Sequence, residues 1–490
     1  MSTPILRRVF TSRATTITTT TTSFSSTSTS SHSLSSPTSD TSAVSTAVSV
    51  LTHHRSKSRW STLLSLFPHG FTSPQISQIL LEIRNNPHLA LHYFLFTTRH
   101  HSLSSINSYA TIIHILARAR LKSRAKSLIK SAIKEFELMG VDDLGGFSGK
   151  KCKLFRALVE NYRVCDSAPF VFDLLIKALL EMNKLDPCVD ILRMLQSRGI
   201  YLNVGTYTEL ISTALKNKGC FFGYDLFREV YGCDDSKGRQ GVACKLVPNV
   251  HTFNDLMLSF HRNGLLDMVE EVWIQMVKLN CTGNSYSYSI LMAAYVEEGD
   301  MEKAEKVWEE LRVKGLNPDV VGYNTLIGGY CRTGEVVKGE ELYREMAFRG
   351  VDGTCVTYEH LIHGYCLAGD ADSAMLLYTD MRRKGFKPDS VTIDTLVRVL
   401  CCERSVSEAL EFFRVAMENA DFVAKESSYE LLIKGLCDEG KTEEALKLQA
   451  QMAGKGFKPS SCVYGAFIDG YMKIGKVEVA ENLRKEMLLI

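Results

Sequence analysis

The chain has 490 residues, 45% of them hydrophobic, with a formal net charge of +2. It is too long for one ordinary core and points to several domains or a repeat array; no run of about 18 apolar residues marks a helical membrane span. The 14 cysteines are scattered without one Cys-x-x-Cys pair, which speaks against zinc knuckles and thioredoxin-like centres and reads as small buried hydrophobes in a reducing compartment.

The charge is unevenly spread: residues 169–490 hold 37 basic against 47 acidic side chains, so the N-terminal third is strongly basic. Part of that excess sits at the start. Residues 1–39 contain Arg7, Arg8 and Arg13, no acid, and a long Ser/Thr tract that cannot build a core. A basic, hydroxylated, acid-free start reads as an organellar transit peptide, and it lacks the apolar core of a secretory signal. Arg-Arg-Val-Phe at 7–10 favours the mitochondrion over the chloroplast. Residues 1–55 are therefore set apart as a transit peptide and disordered leader. Residues 56–168 are expected to be helical.

From residue 169 onward one pattern recurs: an aromatic followed three and four residues later by aliphatic side chains. The series is Phe172-Leu175-Ile176, Tyr207-Leu210-Ile211, Phe253-Leu256-Met257, Tyr288-Leu291-Met292, Tyr323-Leu326-Ile327 and Tyr358-Leu361-Ile362. It continues through a weaker copy, Ile393-Leu396-Val397, to Tyr429-Leu432-Ile433 and Tyr464-Phe467-Ile468. Successive anchors lie 35, 46, 35, 35, 35, 35, 36 and 35 residues apart. A fixed period in this range means stacked supersecondary units.

Each unit reads as two helices. Tyr323, Leu326, Ile327 and Tyr330 form one stripe at i, i+3, i+4, i+7. Gly334 then breaks the helix, as do Gly264, Gly299, Gly369, Gly440 and Gly475 at the same phase. Ala374, Leu377, Tyr378 and Met381 make the stripe of a second helix, and Gly315, Gly350, Gly385 and Gly456 end such helices. Pro-Asp at 318–319 and 388–389 opens the next unit, Pro blocking continuation and Asp suited to N-capping. First helices are predicted near 170–182, 205–217, 251–263, 286–298, 321–333, 356–368, 391–403, 427–439 and 462–474. The unit at 204–249 carries about 11 extra residues, placed in a charged loop at 232–247.

Val-Val-Gly-Tyr-Asn-Thr-Leu-Ile-Gly-Gly-Tyr-Cys at 320–331, with Arg-Gly at 349–350, Lys-Gly-Phe-Lys-Pro-Asp at 384–389 and Lys-Gly-Phe-Lys-Pro-Ser at 455–460, resembles the pentatricopeptide repeat family. The resemblance covers 169–490. It extends more loosely to 71–140, where Ser108-Tyr109-Ala110-Thr111-Ile112-Ile113 looks like a degenerate unit start. It implies an all-α, right-handed α-solenoid of antiparallel helix-turn-helix repeats of about 35 residues, in eight full units and a partial one. The function it implies is sequence-selective binding of single-stranded organellar RNA in processing, stabilisation, splicing or translation, one base per unit. The alternative on the same surface is a protein-binding helical scaffold.

By that resemblance the readers of each unit are the fifth residue of its first helix and its last residue. The pairs are Asp173/Asn203, Thr208/Asn249, Asn254/Asn284, Ser289/Asp319 and Asn324/Thr354, then Glu359/Asp389, Asp394/Lys425 and Glu430/Ser460. The second residue resembles those that sandwich a base: Phe170, His251, Tyr286, Val321, Val356 and Val391. With the N-terminal unit toward the RNA 5′ end, the four units from 204 onward imply 5′-A-pyrimidine-G-pyrimidine. Asn, Ser and Thr offer short donors and acceptors that can meet a base edge. The same residue types at these places also suit plain N-capping and turns. The extra carboxylates Glu359, Asp394 and Glu430 fit base reading poorly, so the C-terminal repeats read as stacking or protein-contact units.

The negative charge of the array opposes RNA binding, which draws much of its affinity from phosphate neutralisation. The basic run Arg118, Arg120, Lys122, Arg124, Lys126, Lys130 and Lys134 is either a solvated helix face or an added phosphate contact. His360 and His363 are three apart, but no further metal ligand is spelled out. No Gly-rich phosphate loop, Gly-x-Ser-x-Gly elbow, or His-x-Glu with Cys-x-x-Cys for deaminase chemistry is present. The expectation is a non-enzymatic protein without C-terminal editing extensions, cofactor, metal or membrane partner.

Overall fold

A computed structural model describes residues 37–53, 58–101, 105–138, 153–232, 247–403, 405–418 and 424–487. Regular structure among these residues is entirely α-helical, and the chain divides into two compact units, 1–252 and 253–490. The first unit holds α1 (Pro37–His53), α2 (Arg59–Leu66), α3 (Ser73–Glu82), α4 (Pro87–His101), α5 (Ile106–Arg118), α6 (Lys122–Leu138), α7 (Lys153–Asn161), α8 (Val171–Glu181), α9 (Leu185–Gln196), α10 (Val204–Lys218) and α11 (Cys220–Tyr231). The division point lies within α12 (Val250–Arg262). After it come α13 (Leu266–Lys278), α14 (Ser285–Glu298), α15 (Met301–Val313), α16 (Val320–Arg332), α17 (Val336–Phe348), α18 (Cys355–Leu367) and α19 (Ala371–Arg383). The last six are α20 (Ser390–Glu403), α21 (Val406–Glu418), α22 (Glu426–Asp438), α23 (Thr442–Gly454), α24 (Ser461–Lys473) and α25 (Val477–Met487).

The first helices expected from the repeat are α8, α10, α12, α14, α16, α18, α20, α22 and α24. Most begin one residue earlier than predicted, because the residue before the apolar run is already helical. The expected charged loop falls almost wholly on 233–246, outside the described residues, as do residues 1–36 of the leader. One expectation needs correcting. Residues 37–53, assigned to the disordered leader, form α1, which packs on α2 and α3. Its Val44, Ala47, Val50 and Leu51 are buried: they make a helical stripe hidden among serines and threonines.

Within the second unit, consecutive first helices pack on one another, α14 on α16, α16 on α18, α18 on α20, α20 on α22 and α22 on α24. Each also packs on the second helix that follows it across a short turn. In the α16–α17 turn Gly334 takes φ +84°, a left-handed conformation open to glycine at no steric cost, and Glu335 N donates to Tyr330 O at 2.8 Å. Close approach calls for glycine again in four of these units. A Cβ on Gly364 of α18 would lie 2.7 Å from Cys331 Sγ and 2.8 Å from Cys331 Cβ on α16; one on Gly329 or Gly435 would meet a neighbour as tightly, and one on Gly470 would lie 3.0 Å from Cys437 Cβ.

The anchor rings are the centre of the packing. Tyr288, Tyr323, Tyr358 and Tyr429 are fully or almost fully buried. Each meets an aromatic of the preceding second helix edge-on: Trp273 with Tyr288 at 4.8 Å, Trp308 with Tyr323 at 4.9 Å, Tyr343 with Tyr358 at 5.7 Å and Phe413 with Tyr429 at 5.1 Å between ring centroids. Such pairs add about 0.5–1.5 kcal/mol beyond area burial. The hydroxyls explain the preference for Tyr over Phe. Tyr288 donates to Glu310 at 3.0 Å and accepts from Lys314 at 2.7 Å; Tyr358 donates to Asp380 at 2.7 Å and accepts from Lys384 at 2.6 Å. A second tyrosine per unit ties backward, Tyr330 to Glu305 at 2.5 Å and Tyr365 to Glu340 at 2.6 Å.

Two outcomes follow from this packing. Gly364→Ala gains about 1 kcal/mol of helix propensity but overpacks against Cys331, which costs about 1–3 kcal/mol. The expected net result is a lower urea midpoint; an unchanged or higher midpoint would show that the first helices separate freely. The second concerns acid. The hydrogen bond from Tyr358, with Arg383 and Lys384 nearby, holds the Asp380 carboxyl below its ordinary value; the Tyr365 bond and Arg344 do the same for Glu340. A carboxyl depressed in the folded state stabilises above its unfolded pKa of about 4, and that stability is lost as pH falls through the folded value. Asp380→Asn is therefore expected to lower stability near neutrality and to flatten its decline below about pH 4, measured by urea unfolding across pH.

Candidate nucleic-acid interface

The second position of each first helix stands one residue away from the buried stripe and points outward. Tyr286 is 38% exposed, Val321 48%, Val356 45% and Val391 46%, and His251 is exposed as well. Single exposed apolar residues are ordinary. One at the same phase of four successive first helices is a column, on a face whose other side chains are polar. Phe170, at the same phase of α8, is half-buried.

Beside this column lie the expected reader pairs. Asn254 Nδ2 donates to Asn284 Oδ1 at 3.3 Å, Ser289 Oγ to Asp319 Oδ1 at 3.0 Å, and Asn324 Nδ2 to Thr354 Oγ1 at 3.2 Å. In the first unit, Asn203 N donates to Asp173 Oδ1 at 2.8 Å. Thr208 reaches Asn249 through Thr252: the two hydroxyls are 2.9 Å apart and Thr252 Oγ1 donates to Asn249 Oδ1 at 2.9 Å. Every pair assigned to base reading up to Thr354 is thus joined directly or through one hydroxyl. The pairs further on differ. Ser460 donates to Glu430, but Asp394 accepts from Ser427 and Ser428 at 2.7 and 2.8 Å, and Glu359 accepts from Cys355 Sγ at 3.2 Å.

The last residue of a unit is also a helix cap. Asn203 accepts from Gly205 N at 3.0 Å, Asn284 from Ser287 N at 2.9 Å, Asp319 from Gly322 N at 2.8 Å and Asp389 from Thr392 N at 2.7 Å. Capping and facing a ligand are therefore not rivals at these positions. In two pairs the fifth residue is less accessible than its partner: Ser289 is 1% and Asn254 4% exposed, whereas Asp319 and Asn284 are half-buried. In Thr208/Asn249 and Asn324/Thr354 both members are half-buried.

A third column was missed in the sequence. Thr252, Ser287, Thr357, Thr392 and Ser428 occupy the third position of their first helices and are buried. Ser287 Oγ donates to Asn254 Oδ1 at 2.6 Å and lies 2.9 Å from Asn284 Oδ1; Thr357 Oγ1 donates to Asn324 Oδ1 at 2.6 Å. These two hydroxyls hold the fifth-position amides of the previous units, Asn254 and Asn324, in place. Their signal was the repeated Ser/Thr three residues after each cap, a capping-box pattern.

Charges that looked repulsive are tied off locally. At the thirteenth position, Glu181 meets Lys126 and Lys130, and Asp438 meets Lys473 at 2.7 Å; Glu297 stands 3.2 Å from the His261 imidazole. Arg262 and Arg332 at the same position have no ion-pair partner among the described residues. The buried thiols Cys331 and Cys437 are pushed up to about 12 and about 11 by burial, which makes them inert. His360 is lowered, chiefly by burial and then by Arg332 and His363. Among the described residues no group of three or more His, Cys, Asp or Glu could hold a metal ion, and no helix is long and apolar enough to cross a membrane.

Comparison with known proteins fits this geometry. The family described as PPR repeat family matches residues 248–296, 318–367 and 354–402, and that described as PPR repeat matches 286–316, 427–457 and 462–489. A pentatricopeptide repeat-containing protein of Arabidopsis thaliana is 57% identical over 459 residues, which span 92% of this chain and 91% of that protein. A second from the same plant, named as mitochondrial, is 26% identical over 215 residues, 42% of this chain and 29% of that one. Among solved structures, the pentatricopeptide repeat protein PPR10 in complex with an 18-nt psaJ RNA element aligns over 91% of this chain and 74% of its own, at 16% identity and a TM-score of 0.40. With identity above one half along nearly its whole length to such a protein, the chain belongs to the pentatricopeptide repeat family.

Proposed function

We propose that the chain binds single-stranded RNA sequence-selectively, one base per unit, in organellar transcript metabolism. The observation that carries this reading is the exposed column Tyr286, Val321, Val356 and Val391 running beside hydrogen-bonded polar pairs at the same period. A flat base fits between successive apolar side chains of such a column, and its edge then falls against the last residue of the unit. The arrangement offers binding and no reacting group. The C-terminal repeats, with Asp394 and Glu430 engaged by serines, are assigned to stacking or protein contact.

The compartment proposed is the mitochondrion, with the chloroplast as alternative. It is supported by the acid-free basic leader and by relatives of 26–28% identity whose names say mitochondrial. The proposed organisation is a leader, a helical region with degenerate repeats up to about residue 168, and the array from 169.

Selection from a random RNA pool tests the reading. The recovered sequences should share 5′-A-pyrimidine-G-pyrimidine, and affinity should fall steeply with salt. Absence of binding to any RNA at low salt would favour a protein-binding scaffold. Asp319→Asn keeps the cap on α16, because Asn caps as well as Asp, but adds a donor at the base edge. It should shift the third position from guanine toward adenine by about 1–3 kcal/mol at nearly unchanged stability. Asp319→Ala should cost about 1 kcal/mol of stability by losing the cap and relax selection at that position alone. If Asp319→Asn leaves the selected base untouched, Asp319 is a cap only and the register is wrong.

A further inference from the structure

A groove in the first unit joins the first polar pair, Asp173 and Asn203, and Phe170 to the α5–α6 turn, whose cations have no part in the reading above. It has a volume of about 620 Å³ and lies between the α5–α6 turn, the segment 166–170 and α8. Arg118, Arg120 and Lys122 line one side and Phe170 the other, with Lys122 Nζ 6.0 Å from the Phe170 ring centroid. The segment is pinned in place, since Ser167 Oγ lies 2.6 Å from Nδ1 of the buried His114.

The charges in and around the groove are mostly committed. Asp166 is 3.9 Å from Arg118, Lys177 is engaged by Glu209 at 3.2 Å, and Asp173 accepts from Asn203 N. Lys126 and Lys130, further along α6, are taken by Glu181. Arg120 and Lys122 have no ion-pair partner among the described residues, and both are exposed. The groove therefore presents two uncommitted cations beside an aromatic ring and a polar pair.

Arg120 has a further peculiarity. Its φ is +59°, and the turn is closed by Arg120 N to Ala117 O at 2.9 Å and Leu121 N to Leu116 O at 3.0 Å. The equivalent place holds Asn183 in the α8–α9 hairpin and Gly264, Gly299, Gly334 and Gly369 in later ones, all with positive φ. Left-handed backbone suits glycine and is tolerated by Asn and Asp, whereas it strains an arginine. Among the described residues with positive φ, Arg120 is the one that is neither glycine, Asn nor Asp, and a strained residue beside a groove points to a use for its side chain.

We infer that the α5–α6 turn adds a phosphate subsite, Arg120 with Lys122, to the base position that the reading above already gives to Phe170 and the Asp173/Asn203 pair. The inference rests on the RNA reading above and extends the binding face to the α5–α6 hairpin. The chemistry suits it: the array from residue 169 is acidic in sum, and the α5–α6 turn sets two further exposed cations beside its first unit. Arg and Lys beside an aromatic face accept a phosphate and a base at once.

The test uses the full chain and one RNA recovered from a random pool by the wild type, prepared with a 5′-hydroxyl and with a 5′-phosphate. The variants are Arg120→Gly with Lys122→Ala, and Arg124→Ala as an exposed cation outside the groove. The double variant should melt no lower than wild type, because glycine relieves the turn. Its affinity should drop several-fold, with the salt slope shallower by about 0.7 for each phosphate that is no longer neutralised. Arg124→Ala should bind as wild type. A loss confined to the 5′-phosphorylated strand assigns the site to a terminal phosphate, and an equal loss on both strands assigns it to a phosphodiester. Unchanged affinity and slope in the double variant overturn the groove assignment while RNA binding stands. Failure of the wild type itself to bind RNA overturns the RNA reading and the groove with it.

Discussion

The whole array depends on a constraint of burial: no hairpin in it can hide its own apolar stripe. A helix of 13 residues such as α16 is marginal alone in water, and the ring of Tyr323 is buried only because Trp308 of the preceding hairpin meets one side of it and its own hairpin the other. Gly364 and Gly470 let their first helices close on Cys331 and Cys437 of the preceding ones, and the hydroxyls of Tyr288 and Tyr358 add directional ties to Glu, Asp and Lys on the second helices. From that stacking the ligand face follows. Once each anchor ring is fixed, the side chain two residues before it has nowhere to point but outward, and the last residue of one unit is delivered to the fifth residue of the same unit across the cap of the next helix.

Much of this was legible in the sequence because it is periodic. The anchors set the register, and the register placed the nine first helices to within a residue or so and set the polar pairs up to Asn324/Thr354 in contact, directly or through Thr252, while Glu359 and Asp394 turned to other partners. What escaped was aperiodic or quiet. The stripe of α1, Val44, Ala47, Val50 and Leu51, lies inside a Ser/Thr tract whose composition reads as disorder. The buried hydroxyls of Thr252, Ser287 and Thr357 escape because Ser and Thr near a helix start pass for capping residues; only the tertiary contact shows that they grip a polar side chain of the previous unit. Which of two paired polar residues faces solvent was likewise not written in the pattern, since it depends on how deeply each first helix sinks between its neighbours.

Net charge proved a poor guide to the face. The acids counted against nucleic acid are largely spent inside the fold. Glu310, Asp380, Glu305 and Glu340 receive tyrosine hydroxyls, and Glu181 and Asp438 are paired with lysines. A sum over the sequence treats a carboxylate that is structural mortar and one that faces a ligand alike, whereas only the second repels phosphate at short range.

The double duty of the last residue sets a limit on how such an array can diversify. Asn203, Asn249, Asn284, Asp319, Thr354, Asp389 and Ser460 all belong to the short polar set that can cap a helix; Lys425 stands outside it, and neither Lys425 nor Ser460 makes a side-chain cap. A change of ligand preference at this place is therefore drawn from a small alphabet already filtered by folding. Letters outside it, long or apolar, would loosen the next hairpin before they altered what is bound. Under the RNA reading, the vocabulary of the array is narrow because its spelling is also its masonry. New specificities should arise by permuting four or five permitted residues among many units rather than by inventing new ones in any single unit.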